Sequence, residues 1–157
     1  MVKVLFVCLG NICRSPTAEG VLRQRLAAAG LEEAVRVDSA GTHDYHLGKP
    51  PDPRAVAAAA ARGIDISGLR ARQVTRTDLE HFDYVLAMDE ENLEHLRMLG
   101  QGRARVGLLM DYAPGWQTRE VPDPYFGGPE GFHQVLDMLQ DACDGLLRDI
   151  RSRAACA

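Results

Sequence analysis

Cys8 and Arg14 stand six residues apart in Val7-Cys8-Leu9-Gly10-Asn11-Ile12-Cys13-Arg14-Ser15-Pro16. A cysteine thiolate is a strong nucleophile, and the planar fork of an arginine takes two oxygens of one phosphate group. Gly10 and Asn11 are the residue types that most easily adopt positive φ, which a ring of inward-pointing backbone N–H groups requires. The Ser15 hydroxyl can reach the Cys8 sulfur as well as cap a helix. Nucleophile, arginine fork and an anion cradle formed by Leu9, Gly10, Asn11, Ile12, Cys13, Arg14 and Ser15 together specify attack on a phosphoryl group. A lone cysteine after a strand is more often a packing residue before an ordinary turn, but the Cys-x5-Arg-Ser-Pro spacing reverses that balance. The stretch lacks the Gly-Lys-Ser/Thr ending of a nucleotide-binding loop, and Gly10 stands alone, so it is not a dinucleotide fingerprint either.

The flanking elements place this loop. Met1 to Val7 is apolar apart from Lys3 and predicts a strand buried on both faces. Ser15 followed by Pro16 suits a helix N-cap with proline at the first helical position. Ala18, Val21, Leu22, Leu26 and Ala29 share one face of that helix, and Gly30 stops it. The loop therefore sits at a helix N-terminus, where unpaired N–H groups and the positive end of the macrodipole favour an anion and a thiolate.

Farther along, Val35 to Ser39 predicts a second strand, and Ala40 to Pro51 a loop carrying Tyr45. Asp52-Pro53 caps an alanine-rich helix ending at Gly63. Ile64 to Arg76 is a polar connection whose arginines at 70, 72 and 76 suit a solvated face. Thr77-Asp78-Leu79-Glu80 matches a capping box. Phe82 to Met88 is the third strand, Asp89 caps a helix with Leu93, Leu96 and Leu99 inward, and Val106 to Met110 is the fourth strand. Ala113 to Gly128 is an irregular loop, long enough to expect function. From Pro129 a last helix places Phe132, Val135, Leu136, Leu139, Cys143, Leu146, Leu147 and Ile150 at helical spacing. Cys143 belongs to that stripe, and Cys156 to a frayed tail. Strand–helix alternation with right-handed crossovers predicts an α/β fold: three-layer α/β/α, a four-stranded parallel sheet, and the phosphate-binding loop between the first strand and first helix.

A length of 157 residues suits one domain spanning 1–157 that buries roughly 70% of its unfolded surface. With 46% hydrophobic and 25% charged residues, a net charge of −4 and no basic run, nothing points to nucleic acid. No stretch has the apolar length of a membrane span, and the first residues lack the pattern of a secretory signal. Four cysteines without disulfide-framework or zinc spacing fit a reducing compartment, so the expectation is cytoplasmic.

An attacking thiolate needs a partner that protonates the leaving oxygen. Asp123 in Val121-Pro122-Asp123-Pro124-Tyr125-Phe126-Gly127 is the strongest candidate, its backbone stiffened by flanking prolines, although an aspartate so placed is by itself more often a turn residue. The loop around Tyr45 follows a strand and should lie beside the Cys8 loop. Tyr45 is then either a cleft wall or a solvent-facing tyrosine.

The segment Val7 to Pro16 resembles the signature of the low-molecular-weight protein tyrosine phosphatases. The resemblance extends to Asp83-Tyr84-Val85-Leu86-Ala87-Met88-Asp89 and to Asp123-Pro124-Tyr125-Phe126, and covers essentially the whole chain. It implies phosphotyrosine hydrolysis without metal or cofactor, through a phosphate ester on Cys8, with Arg14 clamping the phosphate and Asp123 as general acid and then base. It implies aromatic rim residues at Tyr45, Tyr125 and Phe126. The family's second tyrosine is Phe126 here, which keeps the aromatic wall but cannot be phosphorylated. Cys13 is either a small apolar filler or, as the resemblance suggests, a resolving thiol that forms a reversible disulfide with oxidised Cys8. Implied partners are a phosphotyrosine-containing protein, such as a bacterial tyrosine kinase, and inhibitory phosphate or other oxyanions.

Three rivals remain. A thioredoxin-coupled arsenate reductase shares the loop but needs two further downstream cysteines, and the Leu79 to Leu99 region has none. A non-catalytic phosphotyrosine- or anion-binding module would leave both Cys8 and Asp123 without purpose. A phosphatase of small phosphate metabolites would use the same chemistry.

Overall fold

The computed structural model describes the backbone of residues 1–156 and the side chains of 1–154. Cys156, expected in a frayed tail, is the last residue of the final helix, and its side chain lies outside the described residues. Four parallel strands, β1 (Val2–Cys8), β2 (Val35–Gly41), β3 (Tyr84–Ala87) and β4 (Arg105–Leu108), form one sheet in the order β2-β1-β3-β4. Around it lie α1 (Arg14–Ala29), α2 (Pro53–Ala60), α3 (Arg76–His81), α4 (Glu90–Leu99) and α5 (Pro129–Cys156), with a 3-10 turn at Leu109–Tyr112.

The period-2 alternation of β1 divides the core. Val4, Phe6 and Cys8 face the layer built by α1, α2 and α5, while Leu5 and Val7 face Leu79, Leu93 and Leu96 from α3 and α4. This is the expected three-layer arrangement. β1 is central, and the chain reverses direction across it: β2 lies on one side, β3 on the other. In open parallel sheets the crevice outside the strand ends at such a reversal is where ligands bind. The loop after Cys8 and the loop after Ala87 meet there.

Several local expectations hold. Gly30 ends α1 in the left-handed region at φ 70, Asp52 caps α2 through the Arg54 N–H, and Asp89 caps α4 through the Asn92 N–H. The apolar stripe of α5 is buried from Phe132 to Ile150, with Cys143 inside it. Three expectations are corrected. Helix α1 begins at Arg14 with Cys13 at its N-cap position, so Ser15 is inside the first turn and caps nothing. The capping box is Thr75 with Asp78, not Thr77 with Glu80, because Asp78 is also gripped by Arg72. The stretch Ile64 to Arg76 is only partly solvated. Ile64 and Ile66 are buried against Gly20, where a Cβ would come within 2.5 Å of the Ile66 side chain.

Gly145 in α5 serves a close approach. A Cβ there would stand 1.8 Å from the Tyr112 carbonyl oxygen, in the turn that follows β4. In an exposed helix interior Gly→Ala stabilises, by up to about 1 kcal/mol. Here Gly145→Ala should instead destabilise by about 1–3 kcal/mol through overpacking, read as a lowered urea midpoint.

Candidate active site

Cys8 ends β1, and the loop after it is shaped by where its carbonyls go. The Cys8 and Leu9 carbonyls accept from the Thr42 and His43 N–H groups at 2.8 and 3.1 Å, after β2. The Ile12 carbonyl accepts from the Asp52 N–H at 2.8 Å, and the Cys13 carbonyl from the Thr17 hydroxyl at 2.6 Å. With those carbonyls tied outward, none of the backbone N–H groups from Leu9 to Arg14 donates to a protein atom among the described residues. Buried N–H groups are almost always paired, so a run of unspent donors beside a thiol describes an anion cradle.

Asn11 holds the bend. It is the one non-glycine residue at positive φ among those described, at 58°. Its Nδ2 donates to the Ser15 and Ser39 hydroxyls at 2.7 and 3.0 Å, and its Oδ1 accepts from the Arg72 N–H at 3.0 Å. The Arg72 donor fixes which amide atom is the oxygen. Ser15, already accepting from Asn11, has a single hydrogen to give, with the Cys8 sulfur at 3.0 Å and the Ala40 carbonyl at 3.4 Å as its acceptors. Asn11 and Ser15 thus act from beneath the loop. Ser39 in turn donates to buried Glu19, whose carboxyl burial pushes toward the neutral form against its pairing with Arg23.

Arg14 is buried. Its Nη1 donates to Asp89 Oδ2 at 2.7 Å and to the Val121 carbonyl at 3.1 Å, leaving Nε and Nη2 without a hydrogen-bond partner among the described residues. Burial opposes its charge, but Cys8 and Asp89 more than restore it. Asp89 therefore has two duties: Oδ1 caps α4 and Oδ2 orients the arginine.

A cleft of about 220 Å³ opens over the loop, lined by Cys8, Leu9, Gly10, Ile12, Cys13 and Arg14 below, and by Tyr45, His46, Asp123, Tyr125 and Phe126 above. Asp123 Oδ2 lies 3.7 Å from Arg14 Nη2. The Tyr45 ring stacks on His43 with centroids 5.0 Å apart, and Phe126, 92% exposed, meets Tyr125 edge-on. The expected site residues are therefore brought together. Asp89, His46, Ser39 and Glu19 were not anticipated as members of the site or its support. Asp89 carried the one usable signal, an acidic residue directly after a strand end. A larger hollow of about 700 Å³ lies near the opposite ends of β1 and β2, beside Met1, Val35 and Arg36, and is lined by no cysteine, serine or threonine.

The chain matches the family model described as low molecular weight phosphotyrosine protein phosphatase over residues 3–155. The chain belongs to that family. Among low molecular weight phosphatases, it is 41% identical to YfkJ of Bacillus subtilis over 153 residues, covering 96% of this chain and 97% of that one. The crystal structure of that protein superposes with a TM-score of 0.92, covering 98% and 96% of the two chains at 40% identity. A protein tyrosine phosphatase from Entamoeba histolytica with Hepes in its active site gives 0.91 at 39% identity, covering 98% and 99%. A Drosophila arginine phosphatase gives 0.89 at 30% identity, covering 95% and 98%.

If Asn11 sets the loop, Asn11→Ala should cost about 2–4 kcal/mol, from a left-handed alanine and orphaned polar partners, and weaken inhibition by inorganic phosphate. Urea unfolding and phosphate titration check it. Asn11→Gly should recover only the backbone part.

Proposed function

We propose that the protein is a protein tyrosine phosphatase that hydrolyses phosphotyrosine and other aryl phosphates through a cysteinyl-phosphate intermediate. The observation that carries this reading is the run of unspent N–H groups from Leu9 to Arg14 around the Cys8 thiol. Such donors stabilise the equatorial oxygens of a phosphoryl group in transfer. Cys8 attacks phosphorus, Arg14 holds two oxygens with its free edge, and Asp123 donates its proton to the departing tyrosine oxygen. Asp123, now a carboxylate, takes a proton from the water that attacks phosphorus, releasing phosphate and restoring the thiolate. Tyr45, Tyr125 and Phe126 flank an aryl ring at the mouth. Family membership supports the same assignment.

Arsenate reduction is disfavoured by Cys143, which is fully buried in α5 with its thiol pushed up by that burial. The partners we propose are phosphotyrosine-bearing proteins in the cytoplasm, a bacterial tyrosine kinase among them, and phosphate or similar oxyanions as inhibitors. Among the described residues no helix is long and apolar enough to cross a membrane.

With chelator present, wild type should release nitrophenol from p-nitrophenyl phosphate and phosphate from a phosphotyrosine peptide, and Cys8→Ser should do neither. Asp123→Ala should lose about 10²–10⁴ in rate on phosphotyrosine while still binding phosphate. Turnover of arsenate or phosphoarginine with none of phosphotyrosine would overturn the assignment, and binding without turnover would leave a receptor.

We also propose Cys13 as the resolving thiol. Burial, then Asp52 and Cys8 nearby, push its thiol up, so it stays protonated while Cys8 reacts. Peroxide converts Cys8 to a sulfenic acid, and the Cys13 sulfur displaces water from it to close a disulfide. After excess peroxide, wild type should regain activity in dithiothreitol, whereas Cys13→Ala, with no thiol to trap the sulfenic acid before it goes on to the sulfinic acid, should not. Irreversible loss in wild type refutes the pairing.

A further inference from the structure

Asp123 is carried on a segment that the fold holds at two points. Upstream, Val121 is fully buried, its N–H donating to the Met88 carbonyl at 2.8 Å and its carbonyl accepting from Arg14. Downstream, Arg54 of α2 donates to the Tyr125 carbonyl from Nη2 at 2.7 Å and to the Gly127 carbonyl from Nη1 at 3.3 Å. Its guanidinium carbon also lies 5.5 Å from the centroid of the Tyr125 ring and 4.8 Å from that of Phe132. Besides Arg54, the start of α5 bonds to the far end of residues 122–128, the Gly131 N–H donating to the Gly128 carbonyl at 3.1 Å. The remaining bonds, Tyr125 N–H to Asp123 Oδ1 and Gly127 N–H to the Pro124 carbonyl, are internal to it.

Arg54 is itself fixed. Asp52 accepts from its Nε at 3.1 Å and its Nη2 at 2.9 Å, and the same Asp52 donates its N–H to the Ile12 carbonyl of the anion cradle. One continuous path thus runs from the cradle through Asp52 and Arg54 to the backbone on the far side of Asp123. The Asp123 side chain is 37% exposed, so packing does not hold it.

We propose that Arg54 is a positioning residue that holds Asp123 in register with the Cys8 loop for proton transfer to the leaving group. This rests on the reading of Asp123 as the acid. Proton transfer needs hydrogen-bond reach, and small displacements of a catalytic group are costly. Lysine cannot replace Arg54, because the contacts use a planar fork bonding a carboxylate and two carbonyls at once.

The measurement is kcat/KM for aryl phosphates of graded leaving-group acidity, in wild type, Arg54→Ala, Arg54→Lys, Asp123→Ala and the Arg54→Ala/Asp123→Ala double variant. In both Arg54 variants the value for phenyl phosphate should fall on the order of tenfold or more. For 2,4-dinitrophenyl phosphate, whose leaving oxygen needs little proton, it should stay within about twofold. Inhibition by inorganic phosphate should be unchanged, and Arg54→Ala should cost nothing further once Asp123 is alanine. A loss equal for both esters, recovery in Arg54→Lys, or an added loss in the double variant overturns the inference. An Asp123→Ala enzyme without leaving-group dependence overturns the acid assignment and this inference with it. Normal dependence there with a uniform loss in Arg54→Ala overturns this inference alone.

Discussion

The structure turns on the direction of a few peptide planes. A loop of backbone has as many acceptors as donors, and it becomes an anion site only if its carbonyls are drawn away. Here the carbonyls of Cys8, Leu9, Ile12 and Cys13 are taken by three neighbours: the loop after β2 for the first two, the residue that caps α2 for the third, and Thr17 in the first turn of α1 for the fourth. The central place of β1 serves the site from both sides: the loop after β2 takes two of the carbonyls, and the end of β3 brings Asp89 to Arg14. Asn11 at positive φ makes the turn geometrically possible, and its amide spans Ser15, Ser39 and the Arg72 backbone to keep it there.

Charge is arranged around the same loop. Arg14, almost wholly buried, is a cation that would be costly without partners. Asp89 supplies one, at the end of the neighbouring strand, and occupies only one edge of the fork. On the underside, Glu19 is a buried carboxyl satisfied by Ser39 and Arg23. Its folded-state proton affinity is raised, so it favours the fold below its ordinary titration range, and that contribution is lost as pH rises through and above that range.

Much of this was legible in the sequence because the signals are local. The apolar run before Cys8, the Cys-x5-Arg spacing, Gly30, Asp52-Pro53, Asp89 and the stripe on the last helix each declare themselves within a few residues. What was misread had two competing local solutions or a tertiary one. Thr75 and Thr77 both begin a Thr-x-x-acid pattern, and only the grip of Arg72 on Asp78 selects the first. Ser15-Pro16 looks like a cap, but the hydroxyl is recruited by the thiol and by Asn11 instead. The ion pair between Arg14 and Asp89 spans 75 positions, and the bonds of Arg54 to the loop beyond Asp123 span 71 and 73. No periodicity reports such contacts. Ile64 and Ile66 lie in a stretch whose polarity hides that the space over Gly20 needs filling.

Unspent donors in the cradle have a thermodynamic consequence. N–H groups that face the cleft without a protein acceptor offer an oxyanion a set of bonds that the unfolded chain has no means to organise. Any ligand that binds only the native state adds RT ln(1 + [L]/Kd) to its stability, about 2.7 kcal/mol at a hundredfold excess over Kd. Product inhibition and thermal protection are therefore one quantity in this protein: the concentration of phosphate that half-blocks the cleft also sets the scale on which the melting temperature climbs.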